Sequence, residues 1–284
     1  MARSGTGGKT GGKVAGNKLR DLWRAVTPEK VWQGRTGRGV SVALIDSGID
    51  ASHPALRGCV KDAVEASREG GRIFFHPSTS GDTAGHGTAC AGIIARIAPE
   101  ASLHSIKVLG PNASGSGEMF LAGLDYAIKH RIRVINLSLG TTKPELSAPL
   151  RDLLDRAYHA GCIVVAAANN LPQPSFPSIF SSSLVSVCKE HYGDPFYFTY
   201  RYGEVIELCA SGVQVTTTWP GGGYRQLTGN SFACPHITGI IALLIEAYPD
   251  LTPFEVKTIL YTIARRNEER NAERRTQNAK DRRQ

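Results

Sequence analysis

Val42-Ala43-Leu44-Ile45-Asp46-Ser47-Gly48 is a run of four apolar residues that ends in a carboxylate, a hydroxyl and a glycine. An apolar run this short, with no polar alternation, fits a strand buried on both faces. Working outward from the strand expected over 40–45, similar runs recur at 103–109, 134–139, 162–167, 184–188 and 205–209. Helical patterns at 86–97, 118–129, 148–160, 231–248 and 253–264 separate or follow them. The last opens Leu-Thr-Pro-Phe-Glu, where Thr252 can cap and Pro253 suits the first turn. This alternation predicts an α/β fold with a mostly parallel sheet and helices on both faces. In such sheets functional groups gather at the carboxyl ends of strands, which directs attention to Asp46.

Composition narrows the classes. The chain has 284 residues, 41% hydrophobic and 20% charged, which excludes a chain disordered throughout. No window holds the roughly 18 uninterrupted apolar residues of a membrane span. The net charge of +8 is uneven: residues 1–20 carry +5 and residues 265–284 carry +4, leaving −1 for the chain between them. We therefore expect a flexible basic tail over 1–20, a catalytic-size domain over 21–264, and a charged tail over 265–284, disordered or helical. The tails alone could attract nucleic acid, an acidic peptide or an anionic membrane without choosing among them, and no nucleic-acid partner is expected. An export signal needs an apolar stretch of about 7–15 residues after its basic start, whereas Gly, Lys, Ala and Asn follow here. The expectation is a cytoplasmic protein. Six cysteines form no C-x-x-C pair, so free, mostly buried thiols and no metal site are expected.

Three segments carry chemistry. Asp46 after a strand, taken alone, is as readily a turn residue. Gly85-His86-Gly87-Thr88-Ala89-Cys90-Ala91-Gly92 sets a histidine between glycines, which let backbone or ligand approach the ring. Thr228-Gly229-Asn230-Ser231-Phe232-Ala233-Cys234-Pro235-His236 opens the most apolar helix. A serine there is ordinarily a cap, but free N–H groups and the helix dipole also favour an oxyanion beside it. The roles interlock: a serine nucleophile needs a base, and the imidazole needs an anion to hold its tautomer. At 163–168 a buried strand leads into Asn169-Asn170, where a carboxamide can donate to a developing oxyanion.

In this order the segments resemble the subtilisin-like serine proteases, the subtilases, over about residues 37–264. The resemblance implies a subtilisin-like fold with about seven central strands. It implies a serine endopeptidase in which Asp46 orients the imidazole, His86 is general base and acid, and Ser231 attacks the carbonyl. It puts Asn170 in the oxyanion hole, with Asn169 as fallback because it stands where the family usually has glycine. Asn tolerates positive φ, so the turn can survive. Gly115, Ser116 and Gly117, with Ser138, Leu139 and Gly140, resemble the two edge segments that pair with an extended peptide. His53, His236, Cys90 and Cys234 are expected to be structural, and Cys90 resembles a thiol found under the histidine in one branch of the family.

Departures shape the finer expectation. The histidine helix runs straight through 93–100, where many subtilases insert a calcium-binding loop, and the stretch offers few oxygen ligands. No cofactor or metal is expected. The connection at 170–177, with three prolines, is short for a wall of the specificity pocket. No folding pro-domain is expected, because the first thirty-odd residues are few and polar. Together these suggest an intracellular processing protease that removes a leader from a specific, acidic precursor peptide. A catalytically silent peptide-binding protein on the same scaffold is the alternative.

Overall fold

The computed structural model describes residues 26–281, with the side chains of 272 and 274–281 left out. The basic segment 1–20 lies outside the described residues. After a four-residue helix α1 (Pro28–Val31), capped by Thr27, the elements are β1 (Ser41–Asp46), β2 (Val60–Glu69), β3 (Arg72–Pro77), α2 (His86–Ile97), β4 (Ser102–Lys107), α3 (Gly117–Lys129), β5 (Val134–Leu137), α4 (Ser147–His159), β6 (Ile163–Ala167), β7 (Val185–Glu190), β8 (Phe198–Tyr200), β9 (Leu208–Ser211), β10 (Val215–Trp219), β11 (Gly223–Leu227), α5 (Asn230–Ala247) and α6 (Pro253–Asp281).

Nine strands, rather than about seven, form the main sheet in the order β3-β2-β4-β1-β5-β6-β7-β9-β8. The inner pairs are parallel and only the edge pairs, β2 with β3 and β8 with β9, are antiparallel. The extra strands lacked a buried apolar run: β2 carries five charged residues among half-buried ones, and the Ile73-Phe74-Phe75 run of β3 is short and partly exposed. The β10–β11 hairpin forms a separate two-stranded sheet.

Alternation along β1 feeds two cores. Val42 and Leu44 pack with α2 and α5 on one face, while Ala43 and Ile45 pack with Leu124 of α3 and Leu150 of α4 on the other. Among the described residues α5 is the one helix long and apolar enough to cross a membrane, yet 83% of its 18-residue window is buried inside the protein. It fills the centre because it is apolar all round. β1 is the switch point, with β4 on one side and β5 on the other. A crevice therefore opens at the carboxyl ends of these strands.

Two expectations need correction. The helix expected to end at 264 runs on as α6 to Asp281, so this part of the tail takes the helical of its two expected forms. Although this stretch has few apolar residues, it has work at the sheet edge: Asn267 Nδ2 donates to the Phe198 carbonyl at 2.9 Å and Glu268 Oε1 accepts from Tyr200 N at 3.2 Å. These bonds occupy backbone groups of the edge strand β8. Not all six cysteines are free either, because Cys188 and Cys209 form a disulfide. They are register partners on neighbouring parallel strands, with Cα atoms 4.7 Å apart. Cys59, Cys90, Cys162 and Cys234 are free.

Candidate active site

β1 delivers Asp46 to the crevice, where it is 1% exposed. Its Oδ1 accepts from Ser47 N at 2.7 Å, and His86 Nδ1–H reaches both carboxylate oxygens, at 2.8 and 2.9 Å. The two segments can meet because glycine lets backbones touch. A Cβ at Gly87 would collide with the Gly48 carbonyl, and one at Gly85, where φ is +85°, would enter the Trp219 ring. Burial works against a charged imidazole at His86, but the Asp46 charge, the Asp46 hydrogen bond and the more distant Asp82 outweigh it. The histidine is thereby raised above its ordinary value near 6.5.

Asp82 is a site residue that the sequence reading missed. Its Oδ1 accepts from Ser47 Oγ, Ala84 N and Gly85 N, and its Oδ2 from Thr88 N at 2.8 Å. One carboxylate thus satisfies the free N–H groups that open α2 and fixes the helix that carries His86. The only available signal was an acidic residue four positions before the histidine, which also reads as an ordinary turn.

Ser231 lies in the first turn of α5. Its Oγ–H donates to the Ser138 carbonyl at 3.1 Å, and no hydrogen bond joins it to His86 among the described residues. Pro235, four residues on, has no N–H to give the Ser231 carbonyl. Ser138 Oγ and Cys90 Sγ donate to that carbonyl instead, at 2.8 and 3.4 Å. The helix start is thereby tied both to the segment that follows β5 and to the histidine helix.

Asn170 faces the same point. Its Oδ1 accepts from Asn230 N at 2.8 Å, which orients the carboxamide and leaves Nδ2 as a donor. Asn230 was also not singled out by sequence. Buried beside the serine, it accepts from Lys189 N at 2.8 Å and donates to the carbonyls of Ala168 and Asn169 at 3.2 and 2.7 Å. It holds the 168–170 turn against β7. Asn169 does not adopt positive φ, contrary to the expectation for a glycine replacement, so the turn stores no strain there. Its Oδ1 accepts from Leu171 N at 3.1 Å, which turns that side chain to local use.

Ser138, Leu139 and Gly140 line a cavity of about 410 Å³ with Asn169, Asn170 and Ser231. Gly115, Ser116 and Gly117 do not line it: Ser116 caps α3 by accepting from Met119 N at 3.1 Å, and Gly117 packs against Leu146. Thr141, which lines the cavity, exchanges backbone hydrogen bonds of 2.8 and 2.7 Å with Phe176.

The remaining candidates do structural work. His53 accepts from Ala55 N at 3.1 Å and donates through Nε2 to the Gly223 carbonyl at 2.9 Å, pinning the hairpin. His236 donates to the Phe232 carbonyl at 2.8 Å, and burial lowers its pKa to about 4, so it stays neutral. Cys234 contacts Asn136 Oδ1 at 3.3 Å, and burial pushes its thiol up to about 12. Burial also holds the Cys90 thiol well above the ordinary value. Asp46, His86 and Cys90 place possible metal-ligand atoms within 4.8 Å of one another. Of these atoms, His86 Nδ1 is already hydrogen-bonded to the Asp46 carboxylate.

Residues 37–283 match the family described as "Subtilase family". The chain is 35% identical over 237 residues to the thermostable alkaline protease of Halalkalibacterium halodurans, covering 79% of this chain and 62% of that protein. It is 34% identical over 254 residues to subtilisin Savinase of Lederbergia lenta, covering 85% of this chain and 89% of that one. It spans 62% of the length of several other curated relatives, among them subtilisin E of Bacillus subtilis. The crystal structure of a cold-adapted subtilisin-like serine proteinase superposes with a TM-score of 0.68 and 26% identity, over 81% of this chain and 83% of that one.

Proposed function

Because the chain belongs to the subtilase family, we propose that it is a serine endopeptidase that works through an acyl-enzyme. The observation that carries this reading is the His86 Nδ1 bond to buried Asp46, set in one crevice with Ser231 and an Asn170 carboxamide whose oxygen is already engaged. Asp46 keeps the Nδ1–H tautomer, so Nε2 is the free base. For attack, Ser231 Oγ turns from the Ser138 carbonyl toward Nε2, gives up its proton and adds to the scissile carbonyl. Asn170 Nδ2–H and the Ser231 N–H receive the negative charge on the carbonyl oxygen. Collapse breaks the C–N bond as His86 hands its proton to the leaving amine. Water then attacks the ester with His86 again as base, and the serine is restored.

The test is labelling with a fluorophosphonate, which reports an activated serine. Stoichiometric labelling, lost in Ser231→Ala, is the expected result; an unlabelled folded protein would favour the silent peptide-binding alternative, the one reading in which Ser231 keeps its bond to Ser138.

The finer part of the proposal is processing of a specific, acidic precursor peptide in the cytoplasm. The stiff connection at 170–177 and the cationic residues of 1–20 support it. The Cys188–Cys209 disulfide weighs against a reducing compartment. Rapid, indiscriminate casein digestion overturns the dedicated role, and recovery of the protein outside the cell overturns the location.

A further inference from the structure

We propose that the cavity beside Ser231 selects an acidic side chain, Glu or Asp, on the residue just before the scissile bond, with Lys143 as its counter-charge. The proposal rests on the peptidase reading above and adds its specificity.

An acyl carbonyl held between Ser231 Oγ and Asn170 Nδ2 points the adjoining side chain into the nearest hollow. Both residues line the 410 Å³ cavity, so that hollow is this one. Its size takes a side chain of several heavy atoms. Among the lining residues Lys143 is the one with a charged side chain, and no Asp or Glu accompanies it. Lys143 has no ion pair among the described residues, so its charge is available. Thr141, Thr142 and Gln173 add hydrogen-bond donors nearby.

The segment that carries the lysine is held in place. Lys143 N donates to Thr141 Oγ1 at 3.2 Å, Thr141 is bridged to Phe176, and Pro144 begins the next turn. Because Lys143 is exposed, the attraction is of the order of an open ion pair, strengthened when the bound peptide displaces water. A lysine in the same place meets like charge and is disfavoured.

The experiment uses the full chain and four fluorogenic peptides that differ only in the residue before the cut: Glu, Gln, Leu and Lys. The expected kcat/KM for Glu exceeds that for its isostere Gln about fivefold at low salt, with Lys poorest, and the Glu advantage shrinks at 1 M salt. In Lys143→Gln the Glu-to-Gln ratio falls to about one, and in Lys143→Glu the Lys peptide overtakes the Glu peptide. Each ratio is internal to one protein, so partial misfolding of a variant does not imitate the effect. Equal rates for Glu and Gln, or a Glu preference that survives Lys143→Gln, overturn the pocket assignment while the hydrolase reading stands. If no peptide is cut and fluorophosphonate does not label Ser231, the hydrolase reading falls and this proposal falls with it.

Discussion

At the residue scale, the site depends on where one proton rests. The proposed base must be neutral to accept it, so kcat/KM rises as His86 deprotonates, with a midpoint above about 6.5 because Asp46 raises the imidazole. Asp46→Asn removes the largest of the raising influences. We expect its pH–rate midpoint to move down and its rate at neutral pH to fall by the order of ten-thousandfold, as the tautomer is lost. A pH–rate profile of both proteins reads this directly; an unshifted midpoint refutes the assignment. The same pair bears on stability. A raised histidine contributes its full share below its unfolded value, near 6.5, and that share disappears as pH climbs through the folded value. Of these groups, Asp46, His86 and Ser231 were readable as motif residues, since each sits in a short contiguous pattern. Asp82 and Asn230 were not, because a carboxylate before a glycine-rich turn and an amide before a serine are commonplace until their partners are known.

Elements bring these residues together. Helices α2 and α5 cross at small side chains, and Gly239 faces Ile97 so closely that a Cβ there would lie 2.8 Å from Ile97 Cβ. Gly239→Ala therefore overpacks the contact, and we expect a loss of about 1–3 kcal/mol in denaturant unfolding. Proteolytic activity should fall along with it, since α5 carries Ser231 and α2 carries His86. A loss under about 0.5 kcal/mol, within the range of ordinary surface changes, would show that the helices have room to move apart. The core strands and five main helices were legible because they are apolar or periodic. The strands β2, β3 and β11 were not, since none of them has a continuous buried apolar run and their pairing is settled by neighbours. The length of α6 escaped too: its continuation beyond 264 is supported by bonds to β8 rather than by an apolar stripe.

Across the whole molecule, strand order decides which distant residues become neighbours. Cys188 and Cys209 face each other only because β7 pairs with β9 in that register. Under denaturing, non-reducing conditions we expect four titratable thiols rather than six, rising to six after reduction; six from the outset would show that the pair is open. The switch at β1 likewise sets Asp46, His86, Ser231 and Asn170 around one crevice. By itself the sequence determined the α/β alternation, the apolar central helix and the identity of the reactive groups, because each is written in local composition and spacing. Tertiary structure alone decided the nine-stranded order, the Asp82 and Asn230 supports, the thiol pairing and the cavity with its lysine. Most of those depend on contacts between residues tens of positions apart, and such contacts are set by how whole elements pack, which no short stretch of chain encodes.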